Sequence, residues 1–191
     1  ELGDFGVNGM HLEVGGFVTH SKTWAEFLYT ERGIRWVLQA HVERVEPGRA
    51  IGPDDLEKAE AAQGVRVESG DVLLVRTGHI ALFHAGDNWN YMKTMPGLGV
   101  ATVPWLHARE VAAVATDTNM VEVYPMEDPA VMLPLHALCI RDMGLTLGEM
   151  FDLEALADDC ARDGQWTFLF TAPPLRVSGG VGSPINPLAV K

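Results

Sequence analysis

The sequence predicts a mixed α/β (α+β) domain, on three observations. Residues 71–76 and 111–116 are short apolar runs bounded by turn residues, the pattern of buried strands. Residues 53–63 and 153–162 carry helix patterns, the first opened by Pro53 with Asp54, Asp55 and Glu57 in its first turn, the second amphipathic. Strand-like and helix-like stretches interleave along the chain, which is the order of an α/β or α+β fold.

Taken in order, residues 1–31 form an irregular N-terminal segment of uncertain fold. Gly3, Gly6, Gly9, Gly15 and Gly16 interrupt every run there. Within it, residues 17–19 suit a short strand. Residues 23–29 suit a helical turn, with Thr23 as N-cap and Glu26 in the capping-box position. Residues 34–45 are strand-like, and Glu46-Pro47-Gly48-Arg49 is a turn. The helix from Pro53 ends at Gly64, and residues 65–67 are a short extended piece. Residues 80–99 mix Gly, Asn, Met and aromatics without a period, so they read as a long irregular segment, functional or mobile, in which His84 and Trp89 could line a pocket. A helix over 102–110 precedes the 111–116 strand. Residues 124–134 form a loop with three prolines. Residues 166–171 and 175–177 read as strands, and the Gly- and Pro-rich tail as irregular.

The chain is organised around residues 134–149. Pro134 opens a short helix with His136 in its first turn, Gly144 supplies a left-handed cap, and Leu145-Thr146-Leu147 turns back as a strand. Gly148 permits a close approach, and Glu149 follows. Such a reversal brings His136 level with Glu149, and His plus Glu make two ligands of a divalent metal site.

Composition bounds the partners. The 191 residues fit one domain, 1–191, with 47% hydrophobic and 21% charged residues. A formal net charge of −12 argues against nucleic acid and against anionic membranes, and does not say what does bind. No apolar run approaches the roughly 20 residues that span a bilayer. Cys139 and Cys160 make no disulfide framework, so a reducing, cytoplasmic setting is expected, with Cys139 an inert core thiol. The chain opens at Glu1 without Met, as a fragment or a processed form would.

From about Arg32 onward the chain resembles the cyclase family of metal-dependent hydrolases, which includes bacterial kynurenine formamidases and isatin hydrolases. The landmarks are Pro53-Asp54-Asp55-Leu56-Glu57, the run from Gly70 to Gly78, Pro96-Gly97-Leu98-Gly99, the run from Val111 to Thr118, the His136 to Glu149 stretch, Ala172-Pro173-Pro174 and Gly182-Ser183-Pro184-Ile185-Asn186-Pro187. The resemblance implies a mixed β-sheet curled into a partial barrel with flanking helices. It also implies a homodimer or homotetramer and a Zn or Mn cofactor. The implied activity is hydrolysis of a small amide, an aryl formamide or a cyclic amide, of the kind used in tryptophan catabolism. His136 and Glu149 match the family's late metal ligands. His79 stands where the family often has a substrate-facing Trp, and Trp89 is a second candidate substrate contact. Asp117 also has a counterpart in the family.

The family's early motif is His-x-Gly-Thr-His-x-Asp. Thr19-His20 is the only Thr-His pair here, which makes His20 the candidate catalytic residue. In that register Lys22 stands where an Asp ligand belongs, and an ammonium has no lone pair to give a metal. The alternative is a catalytically silent binding or oligomerisation domain, or a fragment lacking the first motif.

Overall fold

The computed structural model describes residues 44–191 and, as strands only, Met10–Glu13 and Val37–Gln39. The elements run β1 Met10–Glu13, β2 Val37–Gln39, β3 Ala50–Ile51, α1 Pro53–Gln63, β4 Val72–Arg76, α2 Ile80–His84, α3 Asn88–Lys93, β5 Gly97–Leu98, α4 Thr102–Ala108 and β6 Ala113–Thr116. They continue with α5 Pro134–His136, which passes into a π-helix over Ala137–Met143, then β7 Thr146–Glu149, α6 Glu154–Asp163, β8 Leu169–Thr171, β9 Gly182–Ile185 and β10 Leu188–Val190. The expected strand at 17–19 and helical turn at 23–29 lie outside the described residues.

Six strands form the main sheet in the order β2-β4-β6-β7-β1-β9. β2, β4, β6 and β7 run parallel, while β1 is antiparallel to both β7 and β9. Two small pairs complete the strands, β3 with β5 parallel and β8 with β10 antiparallel. This is the mixed α/β class expected. No curled or closed sheet is found among the described residues, because β2 and β9 end the row without pairing to each other.

The apolar runs have a simple cause. β4 is buried at all five positions, with Val72 and Leu74 packed into one core cluster and Leu73 and Val75 into another. The first cluster joins the sheet to α6 and β8, through Leu156, Cys160, Phe168 and Phe170. The second joins it to α1, α4 and the π-helix, through Leu56, Leu106 and Cys139. A parallel strand covered on both faces cannot alternate apolar with polar, so it reads as a continuous run.

Local chemistry sets the helix ends. The Gly52 amide donates to Asp55 Oδ2 at 3.0 Å, Pro53 takes the first position, and Gly64 closes α1 at φ +67°. Residues 80–99 are not irregular. They hold α2 and α3, and the α3 start is fixed by Asp87, which accepts from the Asn90 backbone N–H. Helices of five and six residues are too short to show a 3.6-residue period. Residues 65–67 form no strand, and neither do residues 175–177, where Leu175 and Val177 follow the Pro173-Pro174 pair and are exposed. The Gly- and Pro-rich tail carries β9 and β10. Pro184 is tolerated because β9 is an edge strand that needs no donor on its open side.

Candidate active site

β4, β6 and β7 are parallel neighbours, so their carboxyl ends lie on one edge of the sheet. Ligands of open α/β sheets bind at that edge. His79 follows β4, Asp117 follows β6, and Glu149 is the last residue of β7. The register of β1 sets His11 opposite Glu149 along the backbone.

His136 and Glu149 converge as expected. His136 Nε2 lies 3.1 Å from Glu149 Oε1, and both side chains are buried. The helix between them differs from the expectation in one respect. Its second part is π-helical, capped by Gly144 at φ +67°, with the Leu145 N–H donating to the Cys139 carbonyl. π-Helical turns recur at functional sites. Gly148 is required by its neighbours, since a Cβ there would lie 2.7 Å from the Phe151 ring and 2.8 Å from Ala115 Cβ.

A third residue completes the cluster. Glu122 accepts from His136 Nδ1–H at 2.5 Å, from the His136 backbone N–H at 3.1 Å and from the Leu135 backbone N–H at 3.3 Å. It is 2% exposed. Burial alone disfavours a charged His136, but the hydrogen bonds to Glu122 and Glu149 and the charge of the two carboxylates outweigh it and push the imidazole up to about 9. At neutral pH the ring is an imidazolium donating from both nitrogens. The same burial and the Glu122 charge push the Cys139 thiol up to about 12, so it is inert, as expected.

Asp117 serves the frame of the site. Its Oδ1 accepts from Thr77 N–H at 2.9 Å and Thr77 O–H at 2.7 Å, and its Oδ2 from Gly78 N–H at 2.6 Å. These bonds tie the β4 and β6 ends together. Full burial raises its pKa to about 6 against the pull of the three donors. Tyr91 O–H donates to the Asp117 carbonyl at 3.1 Å. Burial, and then the Asp117 and Glu149 charges, raise its pKa, so the phenol stays a donor.

His79 is fully buried and stacked on Tyr91, with ring centroids 5.2 Å apart. Burial, aided by the charge of Arg44, lowers its pKa and keeps the ring neutral. Nε2–H donates to the Tyr91 carbonyl at 3.0 Å, which leaves the lone pair on Nδ1, an atom without a partner among the described residues. Trp89 is 73% exposed on α3 and takes no part in the buried cluster. His84 pairs with Asp152 at 3.0 Å. Neither lines the nearby cleft of about 270 Å³, whose walls are Arg44, Pro47, Leu82, Asn90, Lys93 and Thr94. His20 and Lys22 lie outside the described residues.

Nε2 of His136 and Oε1 of Glu149 suit a divalent cation. They are a nitrogen and a carboxylate oxygen at a spacing that two bonds of about 2 Å can bridge, with the opposite ring nitrogen held by a carboxylate. Among the described residues no group of three or more His, Cys, Asp or Glu could hold a metal ion.

Residues 17–123, more than half of the chain, match the family model named Cyclase. The chain belongs to the cyclase family. The match includes Glu122 and stops short of His136 and Glu149. Among solved structures, one described as a novel cyclase is 37% identical, with a TM-score of 0.74. The match covers 82% of this chain and 51% of that one, so this chain spans about half the length of that relative. An isatin hydrolase bound to the product analogue thioisatinate is 21% identical over 95% of this chain and 70% of that one, with a TM-score of 0.68. Isatin hydrolase A from Ralstonia solanacearum is 20% identical over 96% of this chain and 72% of that one, with a TM-score of 0.70. At those identities the two hydrolases share the cyclase fold with this chain. No curated protein sequence matches it.

Proposed function

We propose that this cyclase is a metal-dependent hydrolase of a small amide, a cyclic amide or an aryl formamide, acting at the carboxyl edge of the sheet. The observation that carries the reading is the 3.1 Å approach of His136 Nε2 to Glu149 Oε1, with Glu122 on the far nitrogen. Solved relatives with this fold include isatin hydrolases, which supports a cyclic amide as the substrate class.

His136 and Glu149 would hold a Zn or Mn ion, whose chemistry is to acidify a water and polarise a carbonyl. The rest falls to the chain. His136 must shed its Nε2 proton to become a ligand, so loading releases a proton and weakens as pH falls. The imidazole keeps its Nδ1 proton on Glu122. Asp117 holds the Thr77-Gly78 turn, and Tyr91 braces Asp117 and His79 behind it. Burial of the cluster keeps bulk water from the carboxylates and strengthens each charge.

The test is metal content and turnover together. Purified protein should carry close to one equivalent of Zn or Mn and hydrolyse isatin or an N-formyl aniline. His136→Ala should lower both by at least about a hundredfold, because each ligand of a site with few donors is essential. Metal-free protein that cannot be loaded, and that is silent on both substrates, would refute the reading. The second reading, a silent cyclase-fold binding domain, is favoured by the two described donors, where such sites normally use three or four.

Assembly belongs to the same proposal. Phe83, Trp89 and Met92 expose apolar surface on α2 and α3, and a symmetric dimer or tetramer in the cytoplasm would cover it. Light scattering should show an oligomer that strengthens with salt, because the −12 charge opposes association. A monomer at micromolar concentration in both low and high salt would end the idea.

A further inference from the structure

We propose that Glu122 is a positioning residue for His136, fixing the imidazole so that Nε2 faces Glu149 and a cation between them. The proposal rests on the metal-hydrolase reading of the site and assigns a role to a residue that reading does not need as a ligand.

The geometry separates two functions of one carboxylate. Bonds from Leu135 N–H and His136 N–H would be enough to cap the start of α5, which otherwise has no side-chain cap. The third bond, from His136 Nδ1–H, adds nothing to capping. It sets the rotation of the ring about its own stem and decides which nitrogen carries the lone pair. With Nδ1–H held by Glu122, the other ring nitrogen, Nε2, is the one turned toward Glu149 Oε1. A carboxylate on the far nitrogen also makes the near one a stronger donor to a metal.

Glu122 is not itself placed as a ligand. Oε1 is shared between the ring and the His136 N–H, and Oε2 takes the Leu135 N–H. A buried carboxylate needs those partners, and turning it toward a cation would strand all three donors. Its backbone is held as firmly as its side chain. Leu98 N–H donates to the Val121 carbonyl at 2.9 Å, and Val123 N–H to the Leu98 carbonyl at 3.2 Å, so the segment rides on β5. Its place in the fold is therefore set from β5, independently of the helix that carries His136.

The test compares the full-length chain with Glu122→Gln and Glu122→Ala, using Zn²⁺ and Mn²⁺ alone as probes. Glutamine keeps one acceptor for the ring but loses the charge, and opposes the Leu135 N–H with its own amide. Affinity should fall about 10- to 100-fold in Glu122→Gln, the range for losing such an outer partner, and further in Glu122→Ala. A second measurement needs no metal. The His136 Nδ1–H proton of the wild type should resonate far downfield, vanish in His136→Asn and move upfield in Glu122→Gln. A folded Glu122→Gln that binds either ion as tightly as the wild type would overturn the proposal, as would a wild type lacking the downfield resonance. Should the wild type bind neither ion, the metal reading fails, while the ring resonance still decides whether Glu122 holds His136.

Discussion

Gly97→Ala should lower stability by about 3 kcal/mol, near the upper end for overpacking, and the melting temperature by roughly 10 °C. The reason is contact with main chain. A Cβ at position 97 would lie 2.3 Å from the Glu122 carbonyl carbon, 2.5 Å from its oxygen and 2.6 Å from the Val123 nitrogen. Backbone cannot swing aside as a long side chain can. Either β5 separates from the 121–123 segment or the segment shifts, and a shift carries the Glu122 carboxylate away from His136. The variant should therefore lose metal affinity as well as stability. Gly52→Ala is the control, since a Cβ there meets nothing closer than Asp55 Oδ2 at 4.0 Å. Thermal unfolding followed by circular dichroism measures both. Equal melting temperatures for the two variants would mean that the close approach at Gly97 is not as described.

The second large effect is a pH dependence centred on Asp117. Its folded pKa of about 6 lies above the ordinary aspartate value of 3.8, so protonation favours the folded state. The sign follows directly. The stabilisation is fully present below about pH 4 and is lost as pH rises through about 6. The difference amounts to on the order of 3 kcal/mol if the unfolded carboxyl titrates near 3.8. Asp117→Asn cannot ionise, so it lacks this dependence. It should also be less stable at every pH, because one end of the amide presents N–H to donors from Thr77 or Gly78. The stability of the wild type minus that of Asp117→Asn should therefore shrink between pH 4 and pH 7. Urea melts at four pH values across that interval give the curve. A constant difference would show that the three donors cancel the cost of burial.

What could be read from the sequence was local. His136 and Glu149 were legible because one helix, one left-handed glycine and one strand link them, each with its own residue signal. Pro53, Asp55 and Gly64 marked both ends of α1 for the same reason. Glu122 was missed because its partner is set by tertiary packing across the 124–134 loop, although a glutamate between two buried valines, Val121 and Val123, was a signal. Asp117 was legible as a strand-end carboxylate, but its donors Thr77 and Gly78 belong to another strand. α2 and α3 were too short for a period to emerge. Among glycines and prolines, β1, β9 and β10 were hidden because their partners, not their own residues, make them strands.

The place of β1 in the sheet bears on how the protein is made. Met10 is paired with Ile185, and Leu12 with both Gly148 and Ser183. On the ribosome, β1 must wait for β7 and β9, both far later in the chain, before either of its edges is satisfied. Contacts of such long sequence separation form slowly. During that wait β1 is an open edge on both sides, the kind of template on which nascent chains pair with one another. A chaperone that shields β1 until β7 and β9 have emerged would raise the yield of folded protein.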